Sequence, residues 1–68
     1  MMSSKRVYAT DIVPGMLTSA FYIVISVQRK IEHVMITFIT PRGGLFMYRC
    51  DREYFGLIKI EIIAPLTQ

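Results

Sequence analysis

The stretch FYIVISVQRKIEHVMITFITPRGGLFMYRC, residues 21–50, decides the fold. Phe21–Gln28 is β-branched and aromatic and suits a strand better than a helix. Arg29–Glu32 reads as a polar connection. Val34–Thr40 is a second strand, Pro41-Arg42-Gly43-Gly44 is the clearest turn signal in the chain, and Leu45–Cys50 is a third strand. A connection over Arg29–Glu32 pairs Val27 with Val34, Ile25 with Ile36 and Ile23 with Phe38. A loop over Pro41–Gly44 pairs Thr40 with Leu45, Phe38 with Met47 and Ile36 with Arg49. Side chains alternate along a strand, and the two hairpins agree on faces. Phe21, Ile23, Ile25, Val27, Val34, Ile36, Phe38, Leu45 and Met47 fall on one face, the expected core, with Ile25 and Ile36 central. Tyr22, Val24, Ser26, Met35, Thr37, Ile39, Phe46, Tyr48 and Cys50 fall on the other.

Working outward, Lys5–Thr10 is a short strand after a frayed Met1–Ser4. Asp11–Met16 reads as a turn in which Pro14 fixes its own φ and Gly15 supplies a positive one. Asp51–Gly56 is a break. Leu57–Ile63 alternates with Ile58, Ile60 and Ile62 inward and Lys59 and Glu61 outward, and Pro65 closes it. No window carries a helical period, and there are no repeats. The sum is an all-β domain spanning residues 1–68, a small five-stranded antiparallel curled sheet or barrel. This layout resembles the Src-homology-3-like small barrels, through its strand count and the break Asp-Arg-Glu-Tyr-Phe-Gly at 51–56. The resemblance implies a short 3₁₀ turn before the last strand. It does not imply proline-peptide binding, since the chain has no Trp, and a shared fold carries no activity by itself.

Length and composition bound the function. Sixty-eight residues hold one domain, and a single cysteine, Cys50, excludes a disulfide framework. Hydrophobic residues reach 53% and charged residues only 19%, against about 25% in an average domain. So small a protein has the most surface per residue and should be more polar than average. Apolar side chains must therefore lie outside the core, the mark of an interface. The window Ile12–Gln28 carries no charge, but Pro14-Gly15 breaks it and Thr18 and Ser19 interrupt it, so a membrane span is not expected.

Chemistry-bearing residues are few. In the register above, Cys50 is a diagonal neighbour of His33, and a thiolate beside an imidazolium is nucleophilic. No orienting partner or oxyanion motif accompanies the pair, and a small hydrophobic cysteine on a sheet with an exposed loop histidine is the plainer reading. One His and one Cys cannot make a zinc set, and Gly43-Gly44 is a turn rather than a phosphate loop. No enzyme activity, cofactor or metal is expected.

Two binding functions remain. The first is protein–protein contact, with self-association into a homo-oligomer, through Tyr22, Val24, Met35, Ile39, Phe46 and Tyr48. The second is a nucleic-acid-binding barrel, DNA or RNA, with Tyr22 and Tyr48 stacking on bases and Arg29, Lys30, Arg42 and Arg49 on phosphates. A sequence pI near 9.4 is compatible with it, but a net charge of only +3 gives few phosphate contacts and weak affinity unless subunits add together. The lone thiol points to a reducing, cytoplasmic setting. The short chain reads as a small viral reading frame, a bacterial regulator or an excised domain.

Overall fold

In the computed structural model, which describes residues 3–65, six antiparallel strands form one curled, unclosed sheet. They are β1 Lys5–Tyr8, β2 Leu17–Thr18, β3 Ile23–Arg29, β4 His33–Ile39, β5 Leu45–Asp51 and β6 Lys59–Ala64, in the order β1-β6-β2-β3-β4-β5. The all-β class and the β3–β4–β5 meander are as the sequence implies. The sixth strand is β2, whose two residues are too few to show a period. It joins the halves of the sheet, pairing with both β3 and β6. The first strand is shorter than expected: it ends at Tyr8, and Ala9–Asp11 is a 3₁₀ turn. Met16 then donates to the Val13 carbonyl at 3.3 Å across Pro14-Gly15, with Gly15 at φ 97°. A second 3₁₀ turn, Arg52–Tyr54, precedes β6.

Both hairpin registers differ from the expected ones. Between β4 and β5, Phe38 faces Phe46, Ile36 faces Tyr48 and Val34 faces Cys50, one residue away from the expected pairing. The loop has three residues, not four. The Thr40 N–H donates to the Gly44 carbonyl at 2.8 Å, the Thr40 hydroxyl oxygen accepts from the Gly44 N–H at 3.0 Å, and Gly43 takes φ 84°. This is the hairpin in which a turn started by proline ends on a left-handed glycine. The slip of one turns Phe46, Tyr48 and Cys50 inward and Leu45 and Met47 outward.

Between β3 and β4 the loop shrinks to Ile31–Glu32, closed by the Lys30 N–H donating to the His33 carbonyl at 2.8 Å, and Val27 faces Ile36 rather than Val34. That is a shift of two, so Val27 keeps its expected face. The register then breaks between Val24 and Ser26, where Ile25 is an extra residue. Such a bulge bends the strand and switches the alternation. Val24 turns inward while Ile23 and Ile25 turn outward, the reverse of the expectation.

The core follows from these registers. Val24, Val34, Ile36, Phe38, Cys50 and Ile62 are buried, joined by Ala9 and Ile12 from the first connection. Of the expected core face, Val34, Ile36 and Phe38 are buried and Val27 packs against them. Phe21, Ile23, Ile25, Leu45 and Met47 are exposed. In β6, Ile62 is buried, Ile58 and Ile60 pack on the core, and Lys59 and Glu61 face out, as expected. The expected frayed start falls partly outside the described residues. Ser4, within them, is tied down by its hydroxyl donating to Glu61 Oε2 at 2.6 Å. Among the described residues no helix is long and apolar enough to cross a membrane.

Candidate interaction surface

The six residues expected to form one interface divide between two faces. Val24 is buried and cannot contact a partner. Tyr22, Phe46 and Tyr48 lie on the inner face beside Phe38. Met35 and Ile39 lie on the outer face, opposite Arg49 and Leu45. The expected interface is therefore not one surface, because it rests on the register that the three-residue loop and the bulge replace.

The inner face holds an aromatic cluster. Tyr22 meets Phe38 and Phe46 edge-on at centroid distances of 5.9 and 5.7 Å, and Phe38 lies 6.0 Å from Phe46. These rings, with Tyr48, Ile58 and Ile60, line an open groove of about 310 Å³. Burial pushes the Tyr48 hydroxyl pKa up, with the Cys50 thiolate, Asp51 and Tyr54 adding to the shift.

On the outer face Ile23 and Ile25 from β3 and Leu45 and Met47 from β5 are all exposed. The sequence assigned all four to the core. A signal for the two on β5 was present: Pro41 two residues before Gly43 marks a three-residue loop and moves Leu45 and Met47 out of the core.

Three successive residues of β5, Leu45, Phe46 and Met47, are 70%, 46% and 62% exposed. They are exposed on both faces because β5 is an edge strand with one neighbour. The backbone of β5 alternates between that neighbour and the open side. Gly44 bonds to Thr40, and the Arg52 N–H donates to the Glu32 carbonyl at 2.8 Å. In an antiparallel ladder this fixes the parity: Phe46, Tyr48 and Cys50 turn both backbone groups toward β4. Leu45, Met47, Arg49 and Asp51 therefore turn theirs outward, where no backbone group pairs with them among the described residues. The opposite edge, β1, is four residues long and carries Lys5 and Arg6, the kind of guard that keeps edges apart. β5 is seven residues long, without lysine or proline, and its one cation, Arg49, is neutralised by Asp51 at 2.7 Å.

The basic residues expected to hold phosphates do not gather. Arg29 donates to the Thr10 and Ile12 carbonyls at 3.3 and 2.7 Å, tying β3 to the first connection. Arg49 is engaged by Asp51. Lys30, flanking the first loop, and Arg42, within the second, lie at opposite ends of β4, roughly 20 Å apart at about 3.3 Å per residue.

Cys50 and His33 are not partners. Cys50 faces Val34 on the inner side and is buried, whereas His33 faces Asp51 on the outer side. Burial, then the Asp51 carboxylate, pushes the Cys50 thiol pKa up, the opposite of what a nucleophile needs. Among the described residues no group of three His, Cys, Asp or Glu side chains is placed to hold a metal.

Comparison with protein-family models, with curated proteins and with solved structures finds no match.

Proposed function

We propose that the chain is a non-enzymatic binding module that acts through protein–protein contact, and that its partner is a second copy of itself. The observation that carries this reading is the run Leu45–Met47, apolar and exposed on both faces of an unguarded edge strand. One added strand covers both faces at once, since its alternating side chains lie beside Leu45 and Met47 on one side and Phe46 on the other. The low charge content favours association over isolation in so small a domain. The scattered Arg29, Lys30, Arg42 and Arg49 favour this reading over nucleic-acid binding. A reducing, cytoplasmic setting suits the buried free thiol of Cys50. The Src-homology-3-like relationship stays part of the proposal, supported by the 3₁₀ turn Arg52–Tyr54 ahead of the last strand.

Sedimentation of the full chain across the micromolar range tests it. A concentration-dependent dimer that persists as salt rises is expected, because apolar contact does not weaken with salt as phosphate binding does. A strict monomer over that range overturns the reading.

A further inference from the structure

We infer that two copies join edge to edge through β5, antiparallel about a two-fold axis at Tyr48, making one continuous twelve-stranded sheet. This rests on the self-association proposed above and adds where and in which register the copies meet. The four residues that turn outward, Leu45, Met47, Arg49 and Asp51, each offer one N–H and one C=O. An identical antiparallel strand satisfies them only when outward residues oppose outward residues. With the axis at Tyr48, Leu45 faces Asp51 of the second copy and Met47 faces its Arg49, so all four are engaged. Moving the axis to Met47 or Arg49 leaves one of the four without a partner from the set. The Arg49 axis also sets two guanidinium groups directly opposite each other, which destabilises the pair.

Charge agrees with the same register. The loop before β5 carries Arg42, and β5 ends on Asp51, followed by Arg52, whose charge Glu32 offsets at 3.7 Å, and by Glu53. Antiparallel pairing places the Arg42 loop of each copy beside the acidic end of the other. Neither Arg42 nor Glu53 forms an ion pair among the described residues. The contact is self-complementary and closes at two copies. Pairing of β5 with the β1 edge of another copy would instead run head to tail, against the Lys5 and Arg6 guard, and would not close at two.

Cysteine cross-linking reads the register. In a Cys50→Val background, Tyr48→Cys is expected to give a covalent dimer under mild oxidation. The two axial residues form a non-hydrogen-bonded pair about 4.5 Å apart by Cα, within disulfide reach. Met47→Cys and Arg49→Cys are expected to stay uncross-linked, since each meets its own copy only diagonally, at roughly 7–8 Å. A cross-link at Met47→Cys or Arg49→Cys in place of Tyr48→Cys overturns the register. A dimer by sedimentation with no cross-link at any of the three overturns edge pairing while leaving self-association standing, and a monomeric wild-type chain overturns both.

Met47→Pro tests the pairing even where Tyr48→Cys fails to fold. The Met47 N–H points away from β4, so proline there spares the ladder within the chain. By symmetry it removes two hydrogen bonds between the copies. A strand-rich chain whose dimer dissociation constant is raised about tenfold or more is expected. A folded Met47→Pro chain that dimerises as tightly as the wild type overturns the inference.

Discussion

Val24 and Val27 point to the same side of the sheet although three positions separate them. Val24 lies opposite Phe38 and Val27 opposite Ile36, with the bulge at Ile25 between them. Strict alternation would put the two valines on opposite faces. The extra residue rotates the strand by half a period, bends β3, and lets the sheet curl over one core.

The two isoleucines expected to be central should therefore separate in mutagenesis. Ile36 is fully buried and Ile25 is 42% exposed. Ile36→Ala should cost about 2–5 kcal/mol, and Ile25→Ala under about 1 kcal/mol. Urea denaturation of the two variants measures both. Equal losses would contradict the bulge.

Much of the fold is legible in the residues, and the limits have specific causes. The three long strands, the existence of a turn within Pro41–Gly44 and the alternation of Lys59–Ile62 are local signals of pattern and turn chemistry, whereas the 3₁₀ turn at Arg52 is implied by the resemblance to small barrels. The bulge at Ile25 is not local: Val24 and Ile25 are chemically interchangeable, and the choice between them comes from Met16 and Gly15, whose backbones bond to Val24 at 2.8 Å. Ile12, buried within a segment that reads as a turn, is likewise placed by the tertiary fold. The candidate surface was legible in amount, as an excess of apolar residues. It was not legible in place, because one residue of loop length exchanges the faces of β5.

Phe21 offers a test of local backbone strain. It holds φ 66° at the tight connection between β2 and β3, with its side chain 53% exposed. A left-handed conformation costs an L-residue about 1–2 kcal/mol, whereas glycine's extra unfolded-state freedom costs about 0.5–1 kcal/mol. Phe21→Gly should hold or raise the stability by up to about 1 kcal/mol in thermal unfolding. A clear fall in Tm would show that the Phe21 ring contributes packing that outweighs the strain.

Glu61 should give the chain an acid-sensitive element. Hydrogen bonds from Ser4 and then Ser19 hold its carboxyl below the usual carboxylate range, with Arg6 adding to the effect. A lowered folded-state pKa stabilises the fold above the unfolded-state value, and that contribution is lost as pH falls through the lowered one. Glu61→Gln should remove this part of the acid decline, read as Tm against pH. Parallel acid profiles for the wild type and the variant would contradict it.

Cys50 should be inert in the folded chain. Its thiol is buried and its pKa is pushed up by burial and by Asp51, so both access and thiolate content are low. Alkylation near neutral pH should be slow in the native state and fast in urea. Rapid native labelling would contradict the inner placement of Cys50.

Residue-resolved amide hydrogen exchange along β5, at high and low protein concentration, tests the proposed assembly most directly. Phe46, Tyr48 and Cys50 turn toward β4 and should be protected at both concentrations. Met47 and Arg49 turn outward and should be protected only at high concentration, where a second copy supplies their acceptors, and exchange freely on dilution. Fast exchange of Met47 and Arg49 at every concentration, beside protected Phe46, Tyr48 and Cys50, would contradict pairing through β5.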